Sequence, residues 1–131
     1  MVAFGLVFAG AAQATPTWLT PETLSETGQD AAYPQIAVDG SGNAIASWYR
    51  GDGSHNRVQV AVRPASTGLW GAPTDLSAAG QNADDSQVAV DGSGNAIATW
   101  VRFDGSKWRV QTAARPVDTG VWSTPTDLSA R

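Results

Sequence analysis

Short runs of alternating apolar and polar residues, separated by glycine-rich turns, fill most of the chain. Gln35-Ile36-Ala37-Val38 alternates and stops at Asp39-Gly40-Ser41-Gly42-Asn43. The run Ala44-Ile45-Ala46-Ser47-Trp48-Tyr49-Arg50 comes next, and a second turn spans residues 51–56. Val58, Val60 and Val62 then alternate with Gln59 and Ala61. After a turn at Thr67-Gly68, residues 70–77 make a looser run containing Pro73. A period of two predicts strands. The glycines and asparagines between the runs predict hairpins, whose turns need positive φ. Proline cannot donate to a ladder, so the fourth strand is expected at the outer edge of its sheet. No apolar period of 3.6 runs for three turns outside the extreme N-terminus, so almost no helix is expected.

The pattern is written twice. VDGSGNAIASW at residues 38–48 returns as VDGSGNAIATW at residues 90–100. Trp18, Trp70 and Trp122 mark one position in successive copies, a period of about 52 residues. Residues 18–69 align with 70–121 without a gap, and about 31 of the 52 positions are identical. Helical repeats mostly run about 33 to 47 residues, whereas a period near 50 suits a propeller blade. The expected fold is therefore all-β: antiparallel, four-stranded propeller-type blades in two copies, blade one over 34–77 and blade two over 86–129. Residues 18–25 are then one extra N-terminal outer strand. Within the repeated stretch, Asp39 and Asn43, like Asp91 and Asn95, can hydrogen-bond the backbone of their own turn. Gly42 and Gly94 relieve its sterics.

The run VAVDGSGN at residues 88–95, followed by a small-apolar strand, resembles the hairpin of bacterial propeller repeats of the NHL type, with their VAVD-x-x-GN pattern. The Asp-x-x-Gly spacing ahead of a tryptophan also resembles the Asp-box of sialidase-like propellers, but Trp48 stands further from Gly42 than that box places it. The resemblance covers both copies. It implies propeller architecture and no particular activity, since propellers host enzymes, lectins and scaffolds alike. Two blades do not close a ring, which takes about 4 to 8. An open pair leaves two bare faces, each on the order of 500 Å² and largely apolar. The chain is thus expected to join other blades, in a longer chain or in copies of itself. The surplus strand at 18–25 favours the longer array.

Composition narrows the function classes. The chain has 131 residues and a formal net charge of −4, without a basic run, so nucleic acid is not an expected partner. It has no cysteine and a single histidine, His55, so neither a thiolate site nor a histidine cluster is expected, and no cofactor is assigned. Residues 2–12 are an apolar run of about the length of a secretory core, too short for a membrane span of about 20 residues. Ala12-Gln13-Ala14 supplies a small-x-small cleavage pattern. Residues 1–14 are therefore read as a signal peptide, with the mature chain secreted or at the cell surface and not in the membrane.

No catalytic constellation is legible. There is no Gly-x-Ser-x-Gly elbow, and Asp84 and Asp85, being adjacent, do not form the facing carboxylates of a glycosidase. Arg50-Gly51-Asp52 at a hairpin tip matches an adhesion tripeptide, but Gly-Asp-Gly is also ordinary turn chemistry. The best surface candidates are aromatic. Trp108 stands where the first copy has Asn56, and Tyr49 where the second has Val101. Arg57, Gln59 and Arg63 share a strand face, repeated as Arg109, Gln111 and Arg115. Rings beside Arg57 and Arg109 at clefts between blades would suit a sugar, with its apolar face on Trp108 or Tyr49 and its hydroxyls on polar groups. The competing reading makes Trp18, Trp48 and Trp70 packing residues and the arginines surface. The expected function is an exported, non-catalytic repeat module for binding or scaffolding. The alternatives are a lectin-like protomer that closes a ring with its copies, and the non-catalytic part of a secreted hydrolase.

Overall fold

In a computed structural model of the chain, which describes residues 17–129, two antiparallel four-stranded sheets account for all regular structure, and no helix occurs among those residues. Sheet one runs β1 (Ala31–Val38), β2 (Ala44–Gly51), β3 (Asn56–Arg63) and β4 (Thr74–Asp75) in that order. Sheet two repeats it with β5 (Ala83–Val90), β6 (Ala96–Phe103), β7 (Trp108–Arg115) and β8 (Thr126–Asp127). Within each sheet every connection is therefore to a neighbouring strand, as the hairpin signals predict, and the link from β4 to β5 passes from one sheet to the other. The signal-peptide reading of residues 1–14 lies outside the described residues.

Each sheet carries the same irregularity. The register between β1 and β2 shifts between Ala32 and Gln35, and between β5 and β6 it shifts between Asp84 and Gln87. Tyr33 and Asp85 sit in these bulges with φ of 53° and 54°, a region that side-chain-bearing residues rarely adopt. The bulge is what allows an eight-residue first strand where the alternation alone predicts four residues.

The two sheets stack face to face. Val58 and Val60 of β3, with Leu76 just past β4, pack on Ala83, Ala98, Trp100 and Ala113 of sheet two. Burial of this set is nearly complete, and Trp122 packs against its edge. The register places Val58 and Val60 opposite Tyr49 and Ser47, so this is one side of sheet one; Ala46, Trp48 and Ala61 lie on the other. Leu24 and Trp70 cover part of that second side, and Ile36 and Val38 on the same side stay exposed. Trp100, Ala98 and Ala113 are the copies of Trp48, Ala46 and Ala61. The same side of each sheet thus points in the same direction. The contact is dominated by small residues around one large indole, which lets the backbones approach closely.

The expected ninth strand is not formed. Residues 18–25 are irregular, and Trp18 and Leu19 are exposed. A strand needs a ladder, and the equivalent segment in the next repeat finds one only on β3, the third strand of its own sheet. For residues 18–25 the described part of the chain offers no such edge. Only Leu24 docks, through its side chain. The fourth strands are also shorter than the sequence suggests: of residues 70–77 only Thr74 and Asp75, immediately after Pro73, are regular strand, while Gly71 and Leu76 add single backbone bonds to Val62 and Val58 of β3.

Candidate functional site

The repeated turns are self-contained. Asp39 Oδ1 accepts from the backbone N–H groups of Ser41 and Asn43, each at 2.9 Å, and Oδ2 accepts from Asn43 Nδ2 at 2.7 Å. Asp91 repeats all three bonds with Ser93 and Asn95. Asn43 Oδ1 then accepts from Ala65 N, and Asn95 Oδ1 from Val117 N, so each turn also anchors the loop after the third strand. The donated hydrogen bonds, the Asn43 side chain's first, hold the Asp39 carboxyl below the usual aspartate value, and Asn95 does the same for Asp91. Gly42 and Gly94 have φ of 85° and 90°. Among the described residues no cluster of three or more histidines and carboxylates is placed to hold a metal ion.

The arginines are engaged within the fold. Arg57 reaches across to the Ser77 carbonyl and pairs with Asp75 at 3.1 Å, clamping β4 onto β3. Arg109 departs from its copy and pairs with Asp104 at 2.7 Å. With the backbone N–H groups of Lys107 and Ser106, that guanidinium holds the Asp104 carboxyl far below its ordinary range, the Lys107 bond contributing most. Arg50 donates to the carbonyls of Glu26, Thr27 and Gly51. The guanidinium of the Arg50-Gly51-Asp52 tripeptide is thereby tied to the chain's own backbone.

A side-chain relay that the period of two does not reveal links the second and third strands to the outer fourth one. Trp48 Nε1 donates to Gln59 Oε1 at 3.2 Å, and Gln59 Nε2 donates to Asp75 Oδ1 at 2.8 Å. Trp100, Gln111 and Asp127 repeat it at 3.1 and 2.8 Å. The signal was present as three residue types recurring together at one period. Trp48 and Trp100 are therefore packing residues with a defined polar partner.

The four surface candidates fall in two separate places. Tyr49 and Arg57 belong to sheet one, on opposite sides, since Tyr49 pairs with Val58 and Arg57 with Arg50. Trp108 and Arg109 belong to the end of sheet two, where Trp108 lies against Phe103 with ring centroids 5.6 Å apart. Tyr49 borders a cleft. This cleft, about 290 Å³, opens where the two sheets meet at their β2–β3 ends and is lined by Gln29, Asp30, Tyr49, His55, Asn56 and Asn82, with glycines between them. Tyr33 stacks beside Tyr49 at 5.5 Å. Two hydrogen bonds cross from one sheet to the other here: Asn56 N donates to Asn82 Oδ1 at 2.9 Å, and Asn56 Nδ2 donates to Asp84 Oδ1 at 2.7 Å. Asp84 is thus a bridge between the sheets. No model of a known protein family matches the chain, and no curated protein does.

Proposed function

We propose that this chain is an exported, non-catalytic module of blade-type repeats that serves in binding or scaffolding as part of a larger array of such blades. The observation that carries this reading is the like-facing stack of two sheets with one topology, one bulge and one set of buried side chains. Successive blades of a propeller stack in this way, each presenting one side to its predecessor and the other to its successor. Arg50, Arg57, Arg109, Trp48, Trp100 and the turn carboxylates Asp39 and Asp91, which could have supplied chemistry, are engaged within the fold. Export is supported by the apolar run at residues 2–12 and the Ala-Gln-Ala pattern after it.

Tandem fusions of two, three and four chains test the array. The urea midpoint should rise steeply at the number that completes a ring, because two bare faces are covered at once. A midpoint that does not change with copy number would sink the reading.

A second reading, glycan binding, is favoured by the cleft at the junction. It sets the ring of Tyr49 beside the side-chain amides of Gln29 and Asn82. A pyranose can lay an apolar face on such a ring and give its hydroxyls to amides. Titration with a panel of neutral sugars, followed by NMR at Tyr49 and Asn82, tests it. Unmoved resonances at millimolar sugar would remove glycans from consideration.

A further inference from the structure

The junction inside the chain is prepared a second time on its outside. Ile45, Val58 and Leu76, at 2%, 0% and 6% exposure, are covered by sheet two; their copies Ile97, Val110 and Leu128, at 48%, 40% and 59%, are not. On the opposite end, Ile36 and Val38 are exposed on the Trp48 side of sheet one, while their copies Val88 and Val90 are half-buried against it. The molecule therefore ends in two unlike apolar faces. Each has a counterpart in the internal junction.

At the cleft between the sheets, several positions that differ between the repeats differ together. Inside the chain Asn56 meets Asp84, amide to carboxylate. One repeat on, Asn56 is replaced by Trp108; one repeat back, Asp84 is replaced by Ala32. Asn82, whose side chain accepts from the backbone N–H at position 56, is replaced by Asp30, an acceptor at least as strong for the N–H of Trp108. Gly51, beside the internal cleft, is replaced by Phe103, which packs on Trp108. A polar pair inside thus becomes an apolar pair outside, with the backbone acceptor kept. Two features of the inner junction are not kept outside: Pro34 stands in place of the Ser86 hydroxyl, and Thr112 stands in place of the buried Val60, its hydroxyl donating to the Ala98 carbonyl.

We propose that the uncovered face of sheet two seats the uncovered face of sheet one of a second copy of this chain, head to tail, with Trp108 set against Asp30 and Ala32 of that copy. The inference rests on the blade reading and names what supplies the next blade. A contact between unlike faces is heterologous. Its repetition gives a closed ring if the rotation closes, and about two to four copies would supply the 4 to 8 blades of a propeller. The indole of Trp108, half exposed in the single chain, is an aromatic anchor of the kind that interfaces use, here at the end of the face.

The test is particle mass by sedimentation and light scattering, with circular dichroism on each sample. The purified chain should form particles of more than one copy. W108N on one face and A32D on the other should each reduce them to monomers with an unchanged β spectrum. Either variant suffices if the other fails to fold. Mixing the two should restore the particles, because one brings an intact Trp108, the other an intact Ala32, and the altered pair recreates the internal Asn56–Asp84 match. A monomeric wild type with a β spectrum overturns the second-copy proposal while leaving the blade reading in place. Loss of assembly in W108N but not in A32D overturns the head-to-tail arrangement. A wild type without a β spectrum overturns both readings.

Discussion

Gln59 stands between Trp48 and Asp75, accepting from the indole and donating to the carboxylate, and so ties three strands of sheet one by side chains alone. Gln59 is buried, whereas its copy Gln111 is half-buried. Replacing Gln59 by leucine leaves the indole N–H without its acceptor in a dry place, a loss of about 1–3 kcal/mol. Gln111→Leu should cost less, since water can reach the freed groups. Urea denaturation of the two variants checks the order, and equal losses would contradict it.

Gly42 and Gly94 occupy the same turn in the two repeats but not the same surroundings. A Cβ at Gly42 would lie 3.6 Å from Ala65, an ordinary contact. At Gly94 it would lie 3.1 Å from Val117 and 3.5 Å from Asp39 of the other sheet. Both alanine variants carry the left-handed backbone cost of about 1–2 kcal/mol, and Gly94→Ala adds overpacking. The expected result is a lower melting temperature for Gly94→Ala, recovered in part by Val117→Ala. Identical melting curves would mean that a side chain at position 94 does not press on Val117.

Leu24, Leu76 and Leu128 end the same segment in three successive positions, and each should report its own setting. Leu76→Ala, fully buried between the sheets, should cost about 2–5 kcal/mol. Leu24→Ala, packed on Trp48 and Ala46 from one side, should cost about 1 kcal/mol, below the range for a fully buried leucine. Leu128→Ala should leave the isolated chain unchanged within about 0.5 kcal/mol. Calorimetry orders the three. A large loss for Leu128→Ala in a monomer would show that its face is already covered.

Asp39, Asp52, Asp91 and Asp104 all have folded pKa values below the ordinary 3.8. A depressed carboxyl stabilises the fold fully above its unfolded value, and that contribution is lost as pH falls through the folded value. Stability should therefore be level from neutral pH down to about pH 5 and decline below about pH 4. Asn43→Ala removes the largest cause at Asp39 and should move its NMR titration up toward 3.8 while leaving Asp91 in place. An unmoved Asp39 would mean that the backbone donors alone set it.

Much of this molecule is written locally. The turn at Asp39-Gly40-Ser41-Gly42-Asn43 closes on itself, and its strands alternate with a period of two, so both were legible without a fold. Residues 18–25 were misread because their sequence is that of an outer strand, while strand formation depends on an edge elsewhere. The bulge at Tyr33 was hidden for a related reason. An aromatic residue gives no local sign of positive φ, and only the ladder on either side imposes it. At the candidate site, the Arg57 and Arg109 side chains read as available cations because the pattern of apolar and polar residues does not show that Arg57 meets Asp75 and Ser77 across the sheet or that Arg109 folds back onto Asp104 of the preceding turn. The exchange of Asn56 for Trp108 was visible in the sequence. Its partner exchange at Ala32 and Asp84 acquired meaning only once Asn56 and Asp84 were seen to touch.

The Ser47 and Ser86 hydroxyls meet at 3.1 Å in a buried contact otherwise made of alanine, valine and tryptophan. A duplicated chain faces a sorting problem during synthesis, because a nascent sheet two can settle on its own sheet one or on that of a neighbouring molecule. Apolar faces alone discriminate poorly between these choices. The serine pair belongs to the inner junction, since a pairing through the outer faces would set Thr99 against Pro34. The bond thus places a small, directional preference on the inner junction over a pairing through the outer faces.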